Sequence, residues 1–115
     1  MKKDLKKILA TLTQGGEVIS ERFDFPNSED DLRSFHSATI RDLDSVFVDR
    51  SYHGTDMTYI HQESNKGKAR TVRVELSYNH GVVLYFKSGD KDISFLKLLR
   101  DYFVTRGYVP KKRLC

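Results

Sequence analysis

The residues best suited to chemistry in this sequence are basic side chains around one predicted hairpin turn. Asn65 and Gly67 favour a turn, and four basic residues lie within the eight positions 66–73, namely Lys66, Lys68, Arg70 and Arg73. Each Lys or Arg that neutralises a phosphate releases counterions, so four contacts would give a log–log salt slope of about −3.6 on duplex DNA. The same charges would also keep a hairpin soluble and block strand pairing at its edge. The pattern therefore leaves both interpretations open.

A second basic segment lies at the end of the sequence, at Lys111, Lys112 and Arg113. We expect this tail and the hairpin tip to hold the phosphate backbone of DNA or RNA. Backbone contacts of this kind give affinity with little choice of sequence.

The four histidines are the only candidates for acid–base chemistry near neutral pH: His36, His53, His61 and His80. Their spacing fits no metal-binding motif, and the single cysteine, Cys115, cannot build a zinc site, so we expect neither a metal nor another cofactor. A metal-independent ribonuclease needs a base, an acid and a cation beside the phosphorane. Such a site could be assembled from Tyr59, His61, Arg73 and His80, although no catalytic residue is assigned.

Charge is divided unevenly along the 115 residues, whose net charge is +4. Residues 17–49 carry nine acidic and three basic side chains, or −6, whereas the rest of the chain carries 17 basic and seven acidic ones, or +10. A divided field can hold an anionic partner on one side and repel it from the other. About half of the acidic block is explained by a helix start at residues 28–31, so the basic part carries more information about function.

Length and composition predict one domain, residues 1–109, followed by a basic tail, residues 110–115. The longest apolar run covers residues 82–86, far short of the ~20 residues that span a bilayer, so no membrane partner is expected. Asp4, Lys6 and Lys7 interrupt the first residues and argue against a signal peptide. A lone cysteine fits a reducing compartment, so we expect a cytoplasmic protein.

Two helices are predicted. The first covers residues 29–43, begins after Asn27 and Ser28, and has a buried stripe at Leu32, Phe35 or His36, Thr39, Ile40 and Leu43. The second covers residues 91–106, is capped by residues 88–90 and ends at Gly107. Its predicted buried face is formed by Ile93, Leu96, Leu99, Tyr102 and Phe103.

The remaining pattern predicts strands at residues 18–25, 46–48, 56–62, 70–78 and 82–87. Residues 4–13 fit either a helix ended by Gly15 and Gly16 or, as we prefer, the first strand of a hairpin. In strand 70–78, alternation predicts a solvent-exposed face with no aromatic for base stacking, formed by Thr71, Arg73, Glu75 and Ser77. The fold class is therefore α+β, with a mostly antiparallel sheet of five to six strands in the order ββαββββα and two helices on one face.

Three functions are compatible with these features. The leading hypothesis is a small non-enzymatic nucleic-acid-binding protein, the second is an accessory or inhibitor protein that acts by protein–protein binding, and the third is the ribonuclease. Basic residues gathered on one face would favour nucleic acid, and scattered ones would favour a protein partner. An oligomer could form through an edge strand, such as residues 46–48 or the first hairpin.

Overall fold

The computed structural model describes residues 17–54 and 56–111. The expectations for residues 4–13, and for Lys112 and Arg113, lie outside these ranges. The elements in chain order are β1 (Val18–Asp24), α1 (Leu32–Asp44), β2 (Asp49–His53), β3 (Asp56–Asn65), β4 (Lys68–Ser77), β5 (Gly81–Lys87), α2 (Ser94–Arg106) and β6 (Val109–Pro110), with a 3₁₀ turn at Ser88–Asp90. The predicted α+β class is confirmed.

The strands form one sheet in the order β2-β3-β4-β5-β1-β6, and all described pairings are antiparallel. Strands β2 to β5 follow each other as a meander, and β1 lies against β5. Strand β6 pairs only with Phe23 and Asp24 of β1, through Pro110 and Val109. The residue at which the basic tail was predicted to begin, Pro110, is thus part of the sheet.

Both helices cover the same face of the sheet. The register places Tyr59, Val74 and Leu84 opposite one another on this face, and all three are fully buried. On α1, the backbone carbonyl of Ile40 accepts a hydrogen bond from Tyr59 at 3.4 Å, and on α2 the Phe103 ring lies 5.5 Å from the Phe23 ring. Burial of each large apolar side chain contributes about 1.5–3 kcal/mol, so this layer stabilises the fold.

The predicted helix faces are confirmed, but both helices begin later than expected. Helix α1 starts after Asp31, which accepts hydrogen bonds from the Ser34 backbone N–H at 3.1 Å and from the Ser34 hydroxyl. These two bonds lower the pKa of Asp31. The predicted start at residue 29 is therefore wrong by one turn, because Asp31 is the cap.

Helix α2 begins at Ser94 after Ile93, whereas residues 88–90 form the 3₁₀ turn and do not cap it. The predicted end is confirmed, since Gly107 has φ 107° in the left-handed region.

The strand predicted at residues 46–48 is wrong. These residues complete the C-terminal turn of α1, where the backbone N–H groups of Val46 and Phe47 donate to the Leu43 carbonyl at 3.1 and 2.9 Å. Phe47 turns inward and is 5 % exposed, while Val46 and Val48 are 58 and 94 % exposed. A single inward aromatic between two outward valines reproduces the alternation of a strand, and the true strand, β2, begins at Asp49.

The predicted solvent-exposed face of β4 is also wrong at two positions, because Thr71 and Arg73 are buried. Strand β4 lies inside the sheet, between β3 and β5, and side chains of these two strands cover it. The Arg73 guanidinium lies 5.1 Å from the Tyr85 ring centroid and pairs with Glu75, and Gln62 donates to the Thr71 hydroxyl at 3.3 Å.

Replacement of Gly81 by alanine should destabilise the protein. Gly81 has φ 90°, and a Cβ there would overlap the backbone carbonyl oxygen of Phe23 on β1. Strain of this kind costs about 1–3 kcal/mol, to be measured as the free energy of unfolding in urea. Gly89→Ala is the matched control, because no atom lies within 4 Å of its added Cβ. Equal stability of the two variants would contradict the predicted overlap.

Candidate functional site

The hairpin tip is confirmed as a turn. Lys66 and Gly67 connect β3 to β4 with φ of 53° and 79°, and the flanking Asn65 and Lys68 pair with each other. Two positive φ values match the type I′ turn that suits a two-residue hairpin. Lys66 and Lys68 are exposed, and within the described ranges neither forms an ion pair. Two of the four basic residues therefore present their charge to solvent.

Arg70 has a structural partner instead. Its side chain is only 13 % exposed, its Nε lies 3.3 Å from Asp90 Oδ1, and its Nη2 pairs with Asp92. Burial by itself would lower the pKa of Arg70, but the hydrogen bond and charge of Asp92, followed by those of Asp90, outweigh it and raise the pKa. This arginine joins β4 to the segment that leads into α2.

Arg73 lies on the opposite face of the sheet from Arg70, because an odd number of positions separates them along one strand. Glu75 pairs with Arg73 and accepts a hydrogen bond from the Tyr85 hydroxyl at 3.2 Å. Burial and the nearby Glu75 carboxylate raise the pKa of Tyr85. The four basic residues near the tip are thus not brought onto one surface.

Lys111 is far from the tip. It follows β6, which lies three strand positions from β4, or roughly 14 Å across the sheet. Its ammonium is 3.2 Å from Asp24 Oδ2, and its backbone N–H donates to the Arg22 carbonyl at 2.9 Å. Among the described residues, the predicted basic site therefore divides into separate places.

The four residues considered for a ribonuclease are not brought together. The His61 ring stacks on Phe95 with centroids 4.0 Å apart, and its Nε2 lies 3.2 Å from Glu63. Arg73 faces the other side of the sheet, and His80 lies in the turn after β4. Tyr59 is fully buried and donates to Asp44 at 2.8 Å. Within the described ranges, no group of three or more His, Cys, Asp or Glu side chains is arranged to hold a metal.

A groove of about 580 Å³ lies between β1, β6 and α2, and sequence reasoning did not predict it. Its lining combines buried aromatic side chains, such as Phe23 and Phe86, with four basic residues and one carboxylate. The lining residues are Ile19, Glu21, Arg22, Phe23, Phe86, Lys91, Arg100, Val104, Pro110 and Lys111. The basic members are up to 89 positions apart in the sequence, so no local motif could have indicated them.

Two cations of this groove are already neutralised and two are not. Arg100 holds Glu21 through two hydrogen bonds of 2.7 and 2.9 Å and lies over the Phe86 ring. Lys111 is paired with Asp24. Arg22 and Lys91 are exposed, and in the part of the chain that the structure describes they form no ion pair. Lys91 therefore adds unpaired positive charge on the groove side of this edge, and Arg22, which alternates with Glu21, adds it from the other side of β1.

The groove runs along a strand edge without an outer neighbour in the described ranges. The carbonyl of Arg22 points outward, since it accepts from Lys111, whereas that of Glu17 points inward and accepts from Ser88. Because these directions alternate along a strand, the N–H and C=O groups of Val18 and Ser20 also point outward. Strand β6 does not extend to them.

Comparison of the chain with protein-family models, curated proteins and solved structures found no match. In the described ranges, neither helix has the length and apolar character needed to cross a membrane.

Arg70→Gln should lower the urea midpoint of unfolding, because it leaves Asp90 and Asp92 without their shared cation. Lys68→Gln is the matched control from the same strand, since its side chain is exposed and should leave the midpoint unchanged. An equal loss in both variants would contradict the structural assignment of Arg70.

Because of Tyr59, we expect the free energy of unfolding to depend on pH in the alkaline range. Burial, then the hydrogen bond and charge of Asp44, raise the pKa of Tyr59. The folded protein keeps this proton to higher pH than the unfolded chain, so the free energy of unfolding falls as the pH rises above about 10. Tyr59→Phe should make that decline shallower, as measured by urea unfolding at several pH values. The exposed Tyr52→Phe is the control, and an unchanged slope in Tyr59→Phe would contradict this role.

Proposed function

We propose that this protein is a binding module that captures an extended acidic segment of a partner protein, which adds as a strand to the part of β1 that β6 does not cover. The observation that carries the proposal is the groove along a strand edge that has no outer partner among the described residues, with an apolar floor and, in the same ranges, cations without an ion-pair partner at its rim. Strand addition at an open edge is a common mode of peptide recognition. Main-chain hydrogen bonds supply affinity, and pockets for alternate side chains supply specificity.

The outward groups of Val18 and Ser20 define where an added strand binds. Each hydrogen bond to them contributes about 0.5–1.5 kcal/mol net. Side chains of the added strand alternate between the two faces, so those opposite Ile19 and Glu21 enter the groove. There the half-exposed Val104 and the partly buried Ile19 offer apolar contact. This arrangement favours an apolar residue at every second position of the ligand.

The charge of the groove favours carboxylates. Arg22 and Lys91 have no ion-pair partner in the described part of the chain, and the carboxylate of Glu21 is occupied by Arg100. A complementary acidic segment is steered towards such a rim and binds with a faster on-rate. The lone cysteine of the sequence fits a reducing compartment, so we place this interaction in the cytoplasm.

Selection from a displayed library of random peptides should enrich sequences in which acidic and apolar residues alternate. Ser20→Pro should abolish their binding, because it removes an outward N–H while sparing the bonds of β1 to β5, and proline is tolerated at strand edges. Circular dichroism would confirm that the variant is folded.

The contribution of charge to peptide binding is tested by comparing two double variants. Arg22→Glu with Lys91→Glu should weaken binding of the selected peptide by at least about tenfold, or ~1.4 kcal/mol. Arg33→Glu with Arg41→Glu makes the same change in net charge at exposed positions of α1 and should leave binding intact. Equal effects of the two pairs, or enrichment of basic peptides, would contradict the proposal.

Nucleic-acid binding is the second candidate, favoured by the exposed, unpaired Lys66 and Lys68 of the described hairpin tip. Two phosphate contacts there correspond to a log–log salt slope of about −1.8 on duplex DNA. Binding that is lost in Lys66→Gln with Lys68→Gln, and that follows this slope in fluorescence anisotropy, would support it. Binding that does not depend on salt would count against it.

A further inference from the structure

Among the described strands, β2 is the other outer strand of the sheet, at the edge opposite β6. Three exposed apolar side chains gather at or just before this strand: Val46 is 58 % exposed, Val48 94 % and Tyr52 63 %. Strand β2 has neither proline nor lysine, two residues that protect an edge from pairing, and its charged residues are Asp49 and Arg50. We define the β2 edge as these three residues together with Asp49–His53.

We propose that the β2 edge binds a second copy of this chain. The two β2 strands pair antiparallel about a two-fold axis at Ser51, which joins the two sheets into one. A two-fold interface uses the same patch on both copies, so the patch must be complementary to itself. The sequence and register of β2 meet this condition.

The register follows from which face each side chain occupies. Arg50 lies opposite Tyr59 and Tyr52 opposite Met57, so both point to the helix-covered face, whereas Asp49, Ser51 and His53 point to the other. Directly paired residues of a continuous sheet share a face. The two-fold axis must therefore pass through one residue of β2 rather than between two.

Only the register centred on Ser51 pairs all five residues of β2. It sets Asp49 opposite the partner's His53 and Arg50 opposite the partner's Tyr52. A centre at Arg50 would bring two arginines together, and like charges directly opposite are unfavourable. A centre at Tyr52 would leave Asp49 outside the paired strands.

The side chains of this register also suit one another. Arg50 is held by Asp44, with Nη1 2.9 Å from Oδ1, yet remains 49 % exposed. A guanidinium fixed in this way can lie over the partner's Tyr52 ring as a cation–π pair. Val48 comes within diagonal reach of the same ring, so pairing would cover two of the three most exposed large apolar side chains of the described residues.

Disulfide crosslinking tests the register directly. In a Cys115→Ser background, Ser51→Cys should form a covalent dimer under mild oxidation, because directly opposite Cβ atoms lie about 4.5–5.5 Å apart. Ser64→Cys, an exposed serine of β3, is the matched control and should remain monomeric. Equal crosslinking of the two variants, or preferential crosslinking of Tyr52→Cys, would overturn the proposal.

Analytical ultracentrifugation measures dimer formation without any disulfide crosslink. In the Cys115→Ser background, the mass should rise with concentration from the 13.4 kDa of one chain to twice that value. Val48→Lys with Tyr52→Lys should keep the protein monomeric, whereas Leu98→Lys, equally exposed on α2, should not. A background protein that remains monomeric at millimolar concentration, or a Val48/Tyr52 variant that still dimerises, would overturn it. Peptide binding at β1 is measured separately, so either proposal can fail alone.

Discussion

The structure depends on one constraint, which is that both helices cover the same face of a single sheet. The buried side chains of β4 and β5, such as Val74 and Leu84, are excluded from water by this layer. On the other face of β4, the buried guanidinium of Arg73 is held by Glu75 of the same strand and by the Tyr85 ring of the neighbouring β5.

Much of the positive charge of the chain serves this architecture. Arg70 holds the segment before α2, Arg100 connects α2 to β1, and Arg106 lies 4.1 Å from the Phe35 ring centroid while donating to the Phe35 carbonyl. Guanidinium groups suit these positions because they combine several donors with a flat face that stacks. The net charge of +4 therefore says less about binding than the position of those cations that form no ion pair within the described ranges.

The sequence predicts the parts of the fold that depend on local pattern. The α+β class, the buried helix stripes and the helix end at Gly107 follow from periodicity and from the left-handed conformation of glycine. The exposed face of β4 and the strand at residues 46–48 were mispredicted, because alternation reports the direction of side chains and not what covers them. The partners of Arg70 could not be predicted either, since Asp90 and Asp92 lie 20 and 22 positions away. The groove is still less accessible to pattern analysis, because it joins β1, α2 and β6 from distant parts of the chain.

The strand order has a consequence for how many ligands one molecule can hold. Strands β3, β4 and β5 separate β2 from β1, which corresponds to roughly 19 Å across the sheet. With both proposed strands bound, the ligands at the two edges would not touch, and each edge has its own side-chain chemistry. The sheet would then act as a linker that holds two chains, a copy of this protein at β2 and a partner segment at β1, at a fixed spacing and orientation.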